Sequence, residues 1–532
     1  MEWRPFFPLK EPRPDQIRAL DKLCADAQAG QRIFLAELGT GVGKSAVGYT
    51  FARWLAAIEK PVDPFKPGAV VLTSQKVLQD QYEKDLGAED LRAASNFECS
   101  HPNMGPDCGA TARVAKALLK KEGTGYDPRY ICKECPYREA KEAFAKSPFG
   151  VTNYAYFLNE LVYASKLPLR HLLILDEAHN IEDEVRRWAS VSITEKNAHD
   201  LGLKLPKWSS STEQLIEWMG GHFKQAIIKR MDELTDEISE HFGKMGKQVM
   251  EARSKENDRL DKHLCQINRI LNKGDEILTK HDNDRISFQP LDVSELAQDL
   301  LYSKAQRVLL MSATILDRKV FSRSAGLPTD ATFISIPTPF SPKAFGVTYC
   351  PVGRMNKDSI QGSLPTLVRA IRRILKRHAN EKGIIHTVNY VVAKAIADGI
   401  KDKRLLIQKE AVDRSGIIDR HLTSPSPTVI VSPGMTEGLD LRDELGRFQI
   451  ICKVPYPNLA DPVIKAKMYS DRDWYTWRTV RTLAQAVGRG VRSESDFTTT
   501  YILDACFYDI LQRDSHMFPA HLQEDTIEFE EP

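Results

Sequence analysis

Residues 32–58 read "RIFLAELGTGVGKSAVGYTFARWLAAI", and this stretch decides the fold. The apolar run at its start predicts a short buried strand over 33–36, and the run at its end predicts a helix over 45–55. A glycine-rich turn separates the two elements. A strand, a glycine-rich loop and a helix in this order are typical of an α/β domain with a parallel sheet that binds phosphate at the loop.

The loop itself carries the residue types that a phosphate site needs. Gly39, Gly41 and Gly43 give the backbone the freedom to point N–H groups at phosphate oxygens, although Leu38 stands where the strict loop pattern has its first glycine. Lys44 can reach the β- and γ-phosphates of ATP, and the hydroxyl of the next residue can ligate Mg²⁺. The predicted nucleotide-binding residues of the loop are Gly39, Thr40, Gly41, Val42, Gly43, Lys44 and Ser45.

A second segment, "HLLILDEAHNIEDEV" at residues 171–185, supports the first. Its apolar residues predict a strand over 172–175 that ends in two adjacent carboxylates. In phosphoryl-transfer sites of this kind, one carboxylate holds Mg²⁺ and the other orients the attacking water. We therefore expect Asp176 to bind the metal together with Ser45, and Glu177 to act on the water.

Further polar clusters follow in order along the chain. Gln16, within "RPDQ", precedes the first strand and could read the adenine edge. "VLLMSATIL" places polar residues after another buried strand, and "TEGLDL" supplies Gly438 and Asp440 as further nucleotide-site candidates. "AQAVGRGVRSES" supplies Gln485, Arg489 and Arg492, whose spacing predicts one shared helix face from which an arginine neutralises charge on the γ-phosphate.

Four of the nine cysteines fall in one short segment: Cys99, Cys108, Cys132 and Cys135. Four thiolates suit tetrahedral zinc, and they equally suit a [4Fe–4S] cluster. Spacing alone does not choose between the two, although a zinc ribbon usually shows two CxxC pairs and only one exists here. The segment predicts a metal or cluster site inserted between the phosphate loop and Asp176.

The totals describe an ordinary globular protein with several domains. The chain has 532 residues, 42% of them hydrophobic, and a net charge of +2. Nucleic-acid binding must therefore depend on local grooves rather than on a global basic field. No apolar run reaches the length of a membrane span and no secretory signal is visible, so we expect no membrane contact and a reducing, cytoplasmic setting.

The ordered set resembles the superfamily-two helicases, and more closely their XPD/DinG branch. The residues that carry the resemblance are "ELGTGVGKS", "DEAH", "SAT", "EGLDL", "KVPYPNLADP" and "QAVGRGVR", with "CPY" at the last cysteine. The resemblance implies two RecA-like parallel-sheet motor domains with ATP and Mg²⁺ in the cleft between them. It also implies that Lys44, Asp176, Glu177, Gln485, Arg489 and Arg492 are catalytic, and it favours a [4Fe–4S] cluster over zinc.

The same resemblance implies how the chain is divided. The first motor domain would comprise residues 1–87, 149–185 and 285–340, and it would be interrupted by an iron–sulfur insertion at 88–148 and a helical arch at 186–284. The second motor domain would comprise 341–532. A stripe of apolar residues with helical spacing indicates helix packing within the arch; its members are Phe223, Ile227, Met231, Leu234, Ile238 and Phe242.

The implied activity is that of an ATP-dependent DNA helicase which moves along single-stranded DNA, with 5′→3′ polarity taken from the branch, in repair or replication. Its partners would be single-stranded DNA and forked or tailed duplexes, and the protein would be a monomer in the cytoplasm, at the nucleoid in a bacterium or in the host cytoplasm for a virus. Two alternatives stay open: an enzyme that unwinds RNA or RNA–DNA hybrids, and a nucleic-acid-binding scaffold with a decayed motor.

Overall fold

The computed structural model describes residues 1–99, 107–109, 135–162, 167–207, 209–240, 247–272, 276–282, 284–410, 414–434 and 441–531. The strands in these ranges are β1 (Ile33–Leu38), β2 (Lys66–Thr73), β3 (Glu89–Asp90), β4 (Phe149–Asn153), β5 (Arg170–Leu175), β6 (Val191–Thr194), β7 (Ile277–Asp282), β8 (Arg285–Pro290), β9 (Ala305–Ser312), β10 (Thr332–Ile336), β11 (Val347–Gly353), β12 (Gly383–His386), β13 (Leu405–Ile407), β14 (Val429–Ser432), β15 (Phe448–Ile451), β16 (Thr499–Asp504) and β17 (Glu528–Phe529).

The α-helices in the same ranges are α1 (Pro14–Gln28), α2 (Lys44–Ile58), α3 (Lys76–Leu86), α4 (Pro136–Lys146), α5 (Tyr154–Val162), α6 (Ile181–Ala189), α7 (Glu195–Asp200), α8 (Thr212–Trp218), α9 (Lys224–Glu240), α10 (Lys247–Asn272), α11 (Ser294–Leu300), α12 (Arg318–Ala325), α13 (Ile360–Arg377), α14 (Tyr390–Gly399), α15 (Arg414–Thr423), α16 (Pro462–Ser470), α17 (Arg472–Val487) and α18 (Cys506–Asp514). None of these helices is both long and apolar enough to cross a membrane.

The first sheet has seven strands in the order β10-β1-β9-β5-β2-β4-β3, and every pair in it is parallel. Its central strands are buried along most of their length because helices cover both faces, as in other all-parallel sheets. The order places β1, β9 and β5 side by side. Their carboxyl ends therefore bring the glycine-rich loop, "SAT" and "DEAH" to one edge.

The second sheet repeats this construction with seven parallel strands in the order β13-β14-β12-β15-β16-β11-β17. The predicted fold class, two RecA-like parallel-sheet domains, is confirmed. The predicted strand over 33–36 extends to Leu38, and the predicted helix over 45–55 extends to Lys44–Ile58. The strand expected over 172–175 begins earlier, at Arg170.

The segment between α6 and α11 forms a unit with its own core. The expected stripe of apolar residues is buried where the structure describes it, with Phe223, Ile227 and Leu234 at 0% exposure. Phe242 lies outside the described residues. The strands β6, β8 and β7 form an antiparallel sheet beneath these helices, which the helical periodicity did not predict. Ile286 and Phe288 alternate inward along β8, and Val191 and Ile193 do so along β6, so the period of two is present only in short stretches.

The two parallel sheets are not packed as separate bodies. One hydrophobic cluster extends from the first sheet through Ile315 and Phe321 to Trp474 and Trp477 on α17. The indole N–H of Trp477 donates to the carbonyl of Ile315 at 2.7 Å, so the buried polar group of this side chain is paired across the interface. Helix α17 is therefore anchored to the first domain by its apolar face.

One buried histidine makes the stability of the fold dependent on pH. His521 is 9% exposed and stacks on Phe345, with ring centroids 4.2 Å apart, and burial lowers its pKa to about 4. In the unfolded chain its pKa is about 6.5, so between these values the unfolded state binds more protons and the free energy of unfolding falls as pH falls.

We predict that His521→Phe, which keeps the stack, makes this pH dependence shallower by up to about 1.4 kcal/mol per pH unit between pH 4 and 6.5. Urea unfolding at several pH values measures the slope. His516→Gln, at an exposed position nearby, should retain the slope of the original chain. If His521→Phe and His516→Gln have equal slopes, His521 is not the neutral buried group.

Candidate active site

The glycine-rich loop leaves the carboxyl end of β1 and enters α2 at Lys44. Gly41 and Gly43 both have a φ of 90°, in the left-handed region that other residues rarely adopt. At position 39 glycine is required for a steric reason, because a Cβ there would lie 2.3 Å from the backbone nitrogen of Thr338. The unpaired N–H groups at the start of α2 therefore point into a turn that only glycines can form.

The middle of the loop is fixed from two sides. The Thr338 hydroxyl donates to the carbonyl of Thr40 at 2.8 Å, and the backbone N–H of Val42 donates to the carbonyl of Gly39 at 3.1 Å. Val42 is 1% exposed, so its side chain is part of the core and its backbone alone is available to a ligand. Ser45, on the first turn of α2, is exposed to the cleft.

Gln16 lies on α1, against the loop. Its Oε1 accepts the backbone N–H of Arg13 at 2.9 Å, which closes the start of α1, and a Cβ on Gly43 would lie 2.5 Å from its Nε2. The Arg13 guanidinium donates to the carbonyl of Gly41 at 2.6 Å. Helix α1 therefore supports the shape of the phosphate loop, and the contact of Gln16 with adenine stays a prediction.

Asp176 and Glu177 follow β5 directly, across the cleft from the loop. The Asp176 backbone N–H donates to the carbonyl of Leu72 at 2.9 Å. Each carboxylate oxygen of Asp176 accepts one hydrogen bond: Oδ1 from the Glu177 backbone N–H at 2.9 Å and Oδ2 from the Tyr82 hydroxyl at 3.0 Å. The orientation of this carboxylate is thereby fixed before any ligand arrives.

The two carboxylates have pKa values that are shifted in opposite directions. Burial and the adjacent Glu177 raise the pKa of Asp176 to about 6. Burial alone would raise the pKa of Glu177 too, but the charges of Lys44, Arg489 and Arg492 outweigh it and lower that pKa. The Lys44 ammonium lies 3.8 Å from Glu177 Oε1. Lys44 also acts on Asp176 but does not outweigh burial and Glu177 there, and the oxygen donors of Asp176 fit Mg²⁺.

His179, the last residue of "DEAH", links the two domains. Its Nδ1 lies 2.8 Å from the Ser312 hydroxyl and 3.3 Å from Glu177 Oε2, and its Nε2 accepts from the Gln485 amide at 2.7 Å. The same amide donates to the Thr314 hydroxyl at 3.3 Å. Burial lowers the pKa of His179 to about 3, so the imidazole is neutral and acts as a hydrogen-bond relay.

The predicted helical face of Gln485, Arg489 and Arg492 is wrong. Helix α17 ends at Val487, and both arginines lie in the turn that follows, which includes two glycines. A Cβ on Gly490 would lie 2.5 Å from Thr498, so the turn packs closely against that residue. Both guanidinium charges nevertheless act on Glu177, as the lowering of its pKa indicates. The turn, and not a helix face, brings them to the cleft.

Comparisons with known proteins agree with this geometry. The model of the helicase C-terminal domain family matches residues 375–525, and the DEAD_2 family model matches residues 119–198. The ATP-dependent DNA helicase YoaA of Escherichia coli is 20% identical over 94% of this chain and 92% of its own length. These similarities support an XPD/DinG-type superfamily-two helicase. The sequence resemblance is thereby confirmed.

Other relatives of this branch match a smaller part. The regulator of telomere elongation helicase 1 homolog of Drosophila virilis is 33% identical over 91 residues, which are 15% of this chain and 9% of that protein.

A solved XPD helicase covers 98% of this chain and is itself fully covered, with a TM-score of 0.65 and 16% identity. S. tokodaii Xpd4 gives a TM-score of 0.59 at 14% identity, with 97% of this chain and all of that chain covered. The fold is therefore XPD-like throughout.

Three of the four predicted cluster cysteines lie within the described residues. The sulfurs of Cys108 and Cys135 are 3.5 Å apart, and both residues are buried. Burial, together with the neighbouring Cys135 and Cys99, raises the pKa of Cys108 to about 12. Thiols that oppose each other's ionisation fit a metal centre, whose positive charge would stabilise the thiolates. Cys132, like Gly438 and Asp440, falls outside the described residues.

The sequence analysis missed a buried ionic network that joins the two motor domains. Glu182, on α6, accepts from Arg186 at 2.7 Å and contacts Lys467, and its other oxygen accepts from the Trp474 indole at 2.8 Å. The carboxylate of its neighbour Asp183 accepts hydrogen bonds from both terminal nitrogens of Arg478, at 2.8 and 2.9 Å. The spacing of Trp474, Trp477, Arg478 and Arg481, at i, i+3, i+4 and i+7, is the signal that could have indicated this face.

We predict that Glu182→Gln lowers the free energy of unfolding by about 3–5 kcal/mol, because it leaves Arg186 and Lys467 as buried cations without their shared carboxylate. Chemical denaturation followed by intrinsic tryptophan fluorescence measures this loss. Glu494→Gln, at an exposed position, should change the stability by less than about 0.5 kcal/mol. Equal effects of the two substitutions would contradict the importance of the network.

Proposed function

We propose that this protein is an ATP-dependent DNA helicase that translocates on single-stranded DNA and couples hydrolysis to the unwinding of duplexes. The observation that carries the proposal is the position of Glu177. Its carboxylate belongs to the first motor domain and responds to cations from both domains: Lys44 of the first, and Arg489 and Arg492 of the second. A hydrolytic centre whose charges come from two domains can act fully only when the cleft between them closes.

The residues would divide the chemistry as follows. The loop amides and Lys44 hold the β- and γ-phosphates, and Ser45 and Asp176 hold Mg²⁺, which neutralises phosphate charge when bound. Glu177 is ionised and accepts a hydrogen bond from the attacking water, which it orients toward the γ-phosphate. Arg489 and Arg492 neutralise the charge that develops on the transferred group.

The hydrogen-bond relay supports a coupling role for the same centre. His179 contacts Glu177 on one side and Gln485 on the other, so a change at the carboxylate can alter the contact between domains. Because His179 is neutral, the relay moves no charge and responds to geometry alone. We infer that it reports the state of the nucleotide to α17, whose far end is held by the buried ionic network.

A polar cavity supports the path for a single strand. It measures about 830 Å³ and lies where the turn after β2 meets the helical insertion and α17. Ser74 and Gln75 line one side of it and His263 and Gln266 another, while Arg478 lines it already paired with Asp183. Glu184 also contributes to the lining. The hydroxyls and amides suit the hydrogen-bonding of a phosphodiester backbone without reading its sequence.

Several finer elements belong to the proposal. The name of the relative YoaA, an ATP-dependent DNA helicase, favours DNA as the substrate. We propose 5′→3′ polarity, action on forked or tailed duplexes in repair or replication, a monomeric state and a cytoplasmic location. We also propose that Cys99, Cys108, Cys132 and Cys135 hold a [4Fe–4S] cluster that stabilises the insertion beside the DNA path.

The motor assignment predicts that Lys44→Ala abolishes single-strand-stimulated ATP hydrolysis, with a loss of at least about a hundredfold, because the principal cation at the β- and γ-phosphates is removed. Binding of single-stranded DNA should stay measurable. Strand displacement on duplexes with 5′ or 3′ tails, of DNA and of RNA, tests the same variant, and we expect unwinding of the 5′-tailed DNA by the original chain alone.

Lys60→Ala, at an exposed position after α2, serves as the control and should retain both activities. Undiminished turnover in Lys44→Ala would overturn the motor assignment. Unwinding of RNA or hybrid duplexes at the rate of DNA would overturn the choice of substrate.

The cluster proposal predicts that protein purified without oxygen is brown and contains about four iron atoms per chain, as a [4Fe–4S] cluster requires. Cys135→Ser should lose most of this iron, and its unwinding should fall more than its ATP hydrolysis. Cys265→Ser, outside the cysteine segment, should keep the full iron content. One zinc per chain without iron would show that the four thiolates hold the other metal.

A further inference from the structure

Tyr82 is a fully enclosed side chain that the proposed chemistry does not use. It lies on α3 and is 2% exposed. Its hydroxyl donates to Oδ2 of Asp176 at 3.0 Å and so fixes one oxygen of that carboxylate. A buried phenol needs a partner, but most partners of this kind are neutral, and here the partner is the carboxylate expected to hold the metal.

The same hydroxyl meets the second expected ligand of Mg²⁺. The Ser45 side chain acts on the same phenol and lowers its pKa, so Ser45 and Asp176 both lie close to the Tyr82 hydroxyl. Groups that orient metal ligands tune the affinity of a site although they do not touch the metal. Tyr82 is therefore placed beside both expected ligands.

Helix α3 connects this hydroxyl to the other side of the domain. The helix begins directly after the turn at Ser74 and Gln75, and both of these residues line the polar cavity assigned to the single strand. The hydroxyl of Ser74 is buried and has no hydrogen-bond partner in the described part of the chain. It is therefore a donor that an incoming phosphate could use.

Hydrogen bonds tie this segment to the rest of the domain at two places. The Gln79 amide, one turn before Tyr82, donates to Asp90 at 2.9 Å. At the end of β2, the carbonyl of Leu72 accepts the backbone N–H of Asp176. A displacement of the turn at Ser74 would therefore move Asp176 through two contacts. One is the hydrogen bond from its backbone N–H to Leu72, and the other is the hydrogen bond from Tyr82 to its carboxylate.

We propose that Tyr82 is a positioning residue that transmits occupancy of the turn at Ser74 and Gln75 to the Mg²⁺ ligands Ser45 and Asp176. Nucleic acid bound at the turn fixes the position of α3, and α3 fixes the position of the phenol. The phenol in turn orients the two ligands of Mg²⁺. This inference rests on the proposed function. It adds a specific route by which single-stranded nucleic acid stimulates ATP hydrolysis.

A purely structural tyrosine offers the matched comparison. Tyr302 is equally buried, and its hydroxyl donates to the backbone carbonyl of Ala325 at 2.6 Å, away from the cleft. Tyr302→Phe and Tyr82→Phe each remove one buried hydroxyl and keep the ring. Their effects on folding should therefore be similar, and any further effect of Tyr82→Phe comes from its position.

The test measures two properties of each variant. Binding of a fluorescent, non-hydrolysed ATP analogue at increasing Mg²⁺ gives the metal requirement without turnover. For Tyr82→Phe we expect the Mg²⁺ concentration at half-maximal binding to rise about tenfold, the lower end of the range for groups that orient metal ligands. We also expect the stimulation of ATP hydrolysis by single-stranded DNA to fall at least fivefold, while binding in EDTA and affinity for DNA stay within twofold.

Tyr302→Phe should match the original chain in both measurements. An unchanged Mg²⁺ requirement and unchanged stimulation in Tyr82→Phe would overturn the inference. Equal losses in the two variants would also overturn it, because they would reflect the loss of a buried hydroxyl and not its position. If the original chain shows no stimulated hydrolysis, the proposed function itself fails, and the Mg²⁺-dependent binding still tests the contact between Tyr82 and the metal ligands.

Discussion

The structure depends on one electrostatic constraint: two adjacent carboxylates, Asp176 and Glu177, lie where charges from both domains act on them. The first domain supplies Lys44, 3.8 Å from Glu177, and the other cations that lower the pKa of Glu177, Arg489 and Arg492, come from the turn after α17. Burial leaves the other carboxylate with a raised pKa and a need for a divalent cation. The second domain and the metal are therefore required by the same pair of residues.

The sheet order explains why these groups meet. Because β9 lies between β1 and β5, the hydroxyls of "SAT" are placed between the phosphate loop and "DEAH", within reach of His179. The same parallel arrangement leaves the carboxyl ends of all three strands at one edge, where the second domain packs. Helix α17 then serves two purposes, since its apolar face anchors the domains and its polar face holds Glu182 and Asp183.

Much of this could be predicted from the sequence, for physical reasons that differ between elements. The strand–loop–helix unit is local, so apolar runs and glycines were sufficient to predict β1, the loop and α2. Helix α17 ends at Val487, before both arginines, and the turn there packs Gly490 against Thr498 through a contact that no local pattern contains; the predicted arginine face was therefore wrong. The network around Glu182 and the bond from Tyr82 join residues between 94 and 295 positions apart, and such pairings exist only once the sheets have formed.

Two chains of side-chain contacts lead from the carboxylate pair, one from Glu177 and one from Asp176. From Glu177, His179 and Gln485 lead to the second motor domain; from Asp176, Tyr82 leads through α3 to the turn that faces the strand path. The two residues are adjacent in the chain, and the backbone N–H of one donates to the carboxylate of the other. A shift of either residue must therefore change the geometry of its neighbour. On the proposed function, domain closure and occupancy of the nucleic-acid path would therefore act on the same dipeptide.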